Sequence, residues 1–283
     1  MGANLFRNFS FFSATLSFFL LLGIFATLFV YAQDAISQFG WGFLVHDVWE
    51  VGEDDEGGVF GGLIPIVGTL FATLIAMLVA TPIAMGIAIF LTEVAPDFMI
   101  KPVSISIELL AAIPSIIYGM WGLFYFAPIV QQFAGGSGMG LLTAGLVLAI
   151  MIIPFMSAIT KDSMNTTPDV LKESAYAMGA TKFEVVKDVV MPYSKAGIIG
   201  SIILALGRAL GETMAVAFLI GSVMRLPSKI TDATTSIPVL LANNFAEAED
   251  LELSSMFYLA LILFVVSFII ISVAKFYFLG RKK

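Results

Sequence analysis

Residues 160–193 read TKDSMNTTPDVLKESAYAMGATKFEVVKDVVMPY, a polar passage between long apolar runs. Thr167, Pro168 and Asp169 offer an N-cap, an N1 proline and a dipole-matched acid, which predicts a helix start. That helix runs through Val170, Leu171, Glu173, Ala175 and Met178 and stops at Gly179 as its C′ residue. Thr181-Lys182-Phe183-Glu184 is a capping box that opens a second helix, and Met191-Pro192 ends it. The passage is therefore read as two short helices about a glycine corner. One reading rests this hairpin on a membrane surface. Against it, Ser174, Ala175, Ala177, Gly179 and Ala180 crowd the corner with small residues, where a surface anchor needs bulky apolar groups. Small residues suit a helix end that enters a partner's cleft.

Outward from this passage the chain is a membrane protein by composition. Of 283 residues, 59% are hydrophobic and 12% charged, with a mean hydropathy of +0.98; a soluble domain carries about twice that share of charge. Apolar runs long enough to span a bilayer occupy 9–31, 63–91, 103–126, 141–159, 194–222 and 256–278. They do not alternate as barrel strands do. The expected fold is all-α, one transmembrane domain over 1–283 with six helices. Outer loops cover 32–62, 127–140 and 223–255, and a cytoplasmic loop covers 160–193. The first run, at 23 residues, exceeds the ~7–15 of a cleaved signal, so a retained helix is expected.

Charge sets the orientation. Arg7, Lys101, Lys161, Lys172, Lys182, Lys187, Lys195, Lys275, Arg281, Lys282 and Lys283 fall on one side, and only Arg225 and Lys229 on the other. This asymmetry places both termini in the cytoplasm. The outer loops hold twelve acids instead, a field that repels an unescorted anion. Trp41, Trp49 and Trp121 are placed as an interfacial belt. His46, the single histidine, reads as a surface residue. With no cysteine, no metal site, disulfide or thiol chemistry is expected. No basic block exists to hold nucleic acid. No G-x-x-x-x-G-K-[ST] occurs, and Gly135–Gly140 reads as a flexible outer turn, so no nucleotide hydrolysis and no enzyme activity are expected of the chain.

Glu108, Arg208 and Glu212 fall inside spans, where a charge costs about 2.5–3.5 kcal/mol on insertion scales and marks a functional suspect. Arg208 lies about 20 Å along its helix from Lys195, and Glu212 follows one turn later on the same face. Two readings stay open. In one the pair is a buried ion bridge, with or without Glu108, serving as helix glue. In the other it lines an oxyanion path: a guanidinium fork holds phosphate oxygens, and a carboxylate accepts the proton that phosphate still carries. Sulfate has no such proton at neutral pH and meets only repulsion. Gly207 and Gly211 have the spacing of a close helix approach. Glu108 lies only about 8 Å into a span that begins at Val103, shallower than Arg208. Pro114 is expected to kink that span and free a carbonyl.

Glu173-Ser174-Ala175, Gly179-Ala180, Val189 and Met191-Pro192 resemble the EAA loop of ABC-importer permeases. The pattern departs mildly at Ser174, Val189 and Met191 and keeps the spacing from Gly179 to the proline. With the six spans it resembles the type I importer fold. The stretches Ile107–Gly119 and Gly207–Val216 are similar to those of phosphate-transport permeases of the PstC type, with Thr213-Met214-Ala215-Val216 following Glu212. Together the similarities cover most of 60–225. The resemblance implies a subunit in a bacterial or archaeal cytoplasmic (inner) membrane. It implies docking of an ATPase subunit through Glu173, Ser174, Ala175, Gly179 and Ala180, and passage of ATP-driven closure to the fifth span. Its partners are a homologous second permease (PstA-like), two ATPase subunits (PstB-like) that use the ATP and magnesium, an external phosphate-binding protein (PstS-like), inorganic phosphate and the lipid bilayer; this chain itself binds no cofactor. Two alternatives remain: a permease for sulfate or molybdate, and a self-contained secondary phosphate carrier, against which stand the docking loop and the lack of a convincing internal repeat.

Overall fold

Apolar segments that must satisfy every backbone group without water form helices, and helices dominate this chain. The computed structural model describes residues 2–52 and 58–279. Arg281, Lys282 and Lys283 of the charge asymmetry, and Glu53, Asp54, Asp55 and Glu56 of the acidic loop, lie outside the described residues.

In chain order the elements are α1 (Gly2–Tyr31), α2 (Gln33–Phe39), the two-residue strands β1 (Trp49–Glu50) and β2 (Val59–Phe60), and α3 (Leu63–Ile89), extended by a π-helical turn at Phe90–Val94. There follow α4 (Asp97–Ala112), α5 (Ser115–Trp121), α6 (Ala127–Ala134) and α7 (Leu141–Met164). The 160–193 passage then forms α8 (Asp169–Ala177), α9 (Lys182–Val185), a π turn and α10 (Met191–Tyr193). The chain ends with α11 (Lys195–Leu210), α12 (Met214–Leu219), α13 (Ile237–Asn244) and α14 (Asp250–Leu279).

Among the described residues four helices are long and apolar enough to span alone: Leu5–Tyr31, Leu63–Val94, Leu141–Met164 and Asp250–Phe276. Two bent pairs bring the total to six if each is one span: Asp97–Ala112 with Ser115–Ala134, at 90°, and Lys182–Tyr193 with Lys195–Leu210, at 72°. The expected third span is thus broken at Ile113-Pro114, and it starts at Asp97, before the expected Val103. The expected fifth span, 194–222, is α11 and α12 with an interruption at Gly211–Thr213.

The chain divides into two compact units. The first contains residues 1–63 and 241–266. In it the Ser254 hydroxyl donates to the Tyr31 carbonyl and accepts from the Ala35 amide, stitching the turn at Ala32 between α1 and α2. Phe43, Phe60, Met256 and Leu259 form its buried interior, and β1 pairs antiparallel with β2. The described parts of the 32–62 loop are therefore folded.

The second unit contains residues 64–240 and 267–283. Its seam is a line of small residues along α3: Ala72, Ala76, Ala80, Ala84 and Ala88, each a helical turn apart and all buried. Small side chains let helices approach closely where lipid supplies no hydrophobic drive between them. A Cβ placed on Gly145 of α7 meets Ile75 at 2.7 Å and the Ala72 carbonyl at 3.2 Å. One turn before Ala72, a Cβ on Gly68 collides with the Thr235 carbonyl. That carbonyl belongs to a buried stretch, Thr234–Ser236, leading into α13. Part of the expected 223–255 outer loop is thus packed inside this unit. The Thr69 hydroxyl accepts from the Ile237 amide at 2.8 Å and pins it to α3.

Gly68→Ala should lower the thermal midpoint of the purified protein by the equivalent of about 1–3 kcal/mol of overpacking. Gly86→Ala, where a Cβ meets nothing within 4 Å, should leave it unchanged or raise it. Equal midpoints for the two variants contradict the close approach.

Candidate functional site

The membrane-embedded site is built by two helix breaks. Proline has no amide to serve the carbonyl four residues earlier, so Pro114 leaves the Leu110 carbonyl free. The Tyr118 hydroxyl donates to it at 2.8 Å, and the Ile113 amide, at 3.3 Å, does so too. The expected freed carbonyl exists, and side-chain chemistry of the same span takes it. The next residue, Gly119, lies against α12: a Cβ there meets Ala215 Cα at 3.0 Å and Phe218 Cδ2 at 2.9 Å. The stretches 107–119 and 207–216, apart in sequence, are therefore packed on each other.

At the second break α11 ends at Leu210, and Glu212 turns back to cap the next helix, its Oε1 accepting from the Ala215 amide at 3.1 Å. An amide at a helix start favours an anion. This contact stands where one of the two readings put an Arg208–Glu212 bridge: among the described residues no ion pair joins them, because the helix does not continue through Glu212. Arg208 is half-buried, with its guanidinium 5.2 Å from the Phe155 ring centroid on α7, a cation–π arrangement. Tyr118 lies within electrostatic reach of it. Among the described residues Gly207 and Gly211 make no tight crossing: a Cβ on Gly207 meets Ile271 at 3.4 Å, and one on Gly211 meets the Gly207 carbonyl at 3.8 Å. Tight helix approaches in this unit include Gly68, Gly119, Gly145 and, on α11 itself, Gly197, where a Cβ collides with the Ser163 side chain.

A narrow cavity beside the break is lined by Thr69, Thr73, Leu148, Glu212, Val216 and Ser236. The Ser236 hydroxyl is buried with no hydrogen-bond partner among the described residues. Glu108 stands apart. It is exposed on α4, with no hydrogen bond or ion pair to Arg208 or Glu212. Because α4 begins at Asp97, Glu108 is about 16 Å along its helix, deeper than a start at Val103 allows. One turn earlier Ser104 accepts from Lys161 Nζ at 3.0 Å.

The 160–193 passage forms the two short helices expected. Helix α8 starts one residue later than the N-cap pattern implies: Pro168 is the extended boundary residue, and the Thr167 hydroxyl is buried with no hydrogen-bond partner among the described residues. The proline takes the cap position, so the threonine sits too early to reach the first amides. The C-terminus is a Schellman motif. Gly179 has φ +89°, its amide donates to Tyr176, and the Ala180 amide donates to Ala175. The Thr181–Glu184 capping box forms in both directions. Ala175 and Ala180 face inward, against a cluster of Ala88, Met164, Val185, Val190 and Ile198. Glu173, Ser174 and Gly179 are exposed, as are Val170, Met178 and Phe183, with Met178 at 89% exposure. These large apolar side chains, like Phe155 and Tyr118, carry no sequence signal that separates them from the surrounding apolar residues.

The sequence and the fold match a known group. A profile described as binding-protein-dependent transport system inner membrane component matches residues 65–282, and the chain belongs to that family of ABC-transporter permease subunits, multi-pass membrane proteins that are not themselves enzymes. It is 45% identical to the phosphate transport system permease protein PstC of Pasteurella multocida over 96% of this chain and 90% of that protein. It is 34% identical to the probable phosphate transport system permease protein PstC of Methanocaldococcus jannaschii over 93% and 88%. Within the family its place is with the PstC-type phosphate permeases. Among solved structures, a bacterial ABC transporter involved in import of the acidic polysaccharide alginate superposes with TM-score 0.66 at 15% identity, over 98% of this chain and 97% of that one. The MetNI methionine ABC transporter does so at 0.62 and 19%, over 77% and 95%. These likenesses establish the type I importer permease fold.

The capping box is acid-sensitive. The Thr181 backbone amide, and then its hydroxyl, hold the Glu184 carboxyl below its ordinary value of 4.5. A lowered folded-state pKa contributes stability above the unfolded value, lost as pH falls through the folded one. Amide protection at Glu184 and Val185, measured by hydrogen exchange, should therefore be full above pH 4.5 and decline below it. Glu184→Gln should flatten that profile; identical profiles contradict the charged cap.

Proposed function

We propose that this chain is the membrane permease subunit of an ATP-driven inorganic phosphate importer, with both termini cytoplasmic in a bacterial or archaeal inner membrane. It forms half of the translocation path beside a PstA-like permease. It docks one of two PstB-like ATPase subunits, which use the ATP and magnesium, and receives phosphate from a PstS-like external protein.

The observation that carries this reading is Arg208. A half-buried guanidinium at a break in a membrane helix, with no ion-pair partner among the described residues, is a site for an anion. Its planar fork suits phosphate oxygens. The nearby Glu212 carboxylate suits an anion that still carries a proton and disfavours sulfate. Similarity to phosphate transport system permeases supports phosphate over sulfate or molybdate, and family membership favours an ABC importer over a self-contained carrier. Exposed Val170, Met178 and Phe183 beside Glu173, Ser174 and Gly179 form a small apolar patch of the kind that marks a protein contact; Ala175 and Ala180 hold its shape from within.

Arg208→Lys keeps the charge and loses the fork, so phosphate uptake by the assembled transporter should fall by one or more orders of magnitude. The double change Arg208→Gln with Glu212→Gln should assemble and fail to transport. Near-normal uptake by the assembled double variant ends the oxyanion-path reading. Gly179→Val forces a β-branched residue into φ +89° with open space around it, so the variant should insert normally and recover less ATPase subunit on purification. Unchanged recovery and uptake refute the docking role.

A further inference from the structure

Of the nine residues of α8, only Lys172 and Ala175 are other than exposed. They are three apart and so share a face. Ala175 offers a methyl group to the cluster beneath; Lys172 offers a charge. Its Nζ donates to Glu93 Oε1 at 2.6 Å, and the side chains are 17% and 7% exposed. Glu93 belongs to the π turn that ends α3, where Thr92 also bonds the Ala88 carbonyl and the Met164 sulfur.

Helix α3 connects two places already described. At one end it holds Glu93. About 30 Å away along the helix, at 1.5 Å per residue, Thr73 and Thr69 line the cavity beside Glu212, and Gly68 touches the buried Thr235 carbonyl. Coupling between distant sites is carried by salt bridges and rigid secondary elements, and a sheltered pair holds its two partners more firmly than a screened surface pair. We propose that Glu93 and Lys172 are positioning residues that make the second membrane helix, α3, a push rod between α8 and the cavity beside Glu212. The fifth span, to which the resemblance alone assigns that role, then shares it with α3. The inference rests on the reading of α8 as the ATPase-docking helix.

The test uses the complete transporter with its ATPase subunits and external binding protein, in proteoliposomes. Variants are Glu93→Gln, Lys172→Met and the exchanged pair Glu93→Lys with Lys172→Glu. Hydrolysis and phosphate uptake are measured together, and hydrogen exchange over residues 85–94 is compared with and without ATP and vanadate. Each single variant should assemble and hydrolyse ATP, with ATP consumed per phosphate raised about two- to thirtyfold. The nucleotide-dependent change in exchange over 85–94 should disappear. The exchanged pair should restore both. A purely structural pair predicts loss of assembly or of hydrolysis and uptake in equal proportion, and that result overturns the proposal. So do singles with wild-type coupling, or an exchanged pair no better than the singles. Wild-type protein that shows the exchange response but takes up no phosphate refutes the phosphate reading alone; wild-type protein without the response refutes the push rod.

Discussion

The close approach of helix backbones along α3 is the constraint on which the larger unit depends. Inside a bilayer, lipid tails solvate leucine as well as a neighbouring helix does, so association relies on packing and buried polar contacts. The alanines from Ala72 to Ala88, with Gly68 before them, give α3 a face with almost no side-chain relief. Neighbours reach that face closely enough for the Thr235 carbonyl to occupy the space a Cβ on Gly68 needs. The hydroxyl of Thr69 then fixes the start of α13 by hydrogen bonding its first amide. The break at Glu212 and the cavity beside it are assembled against this face.

Polar groups enter the membrane segment where helices are interrupted, and each interruption has a local chemical cause. Pro114 removes an amide, and Tyr118 takes the carbonyl it leaves. At Gly211 the helix ends and Glu212 starts a new one by capping it. That cap separates Glu212 from Arg208, a residue pair which an unbroken helix places on one face. The guanidinium then lies over Phe155, and among the described residues no carboxylate pairs with it, so the break parts a potential ion pair.

The 160–193 passage follows a different logic. Its shape comes from local rules: a left-handed glycine, a Schellman pair of hydrogen bonds and a reciprocal capping box. These fix the corner without much burial, leaving its outer face free for apolar side chains. On its inward side α8 offers the Ala175 methyl group to the cluster beneath and the Lys172 ammonium to Glu93.

The sequence by itself determined the all-α membrane class, the apolar runs, the two short helices with their glycine corner, and membership of the permease family. Those features depend on composition, on the rise per residue and on caps a few residues apart, all local quantities. The sequence also marked Arg208, Glu212 and Glu108 as unusual. The tertiary structure decided what they touch: Glu212 caps α12, Arg208 meets Phe155 from another helix, and Glu108 joins neither. It likewise turned Ala175 and Ala180 inward, placed Thr234–Ser236 inside a unit where an outer loop was expected, and brought Glu93 to Lys172. Helix periodicity says which residues share a face. It does not say which face meets which neighbour, because that is settled by where small residues permit backbones to touch.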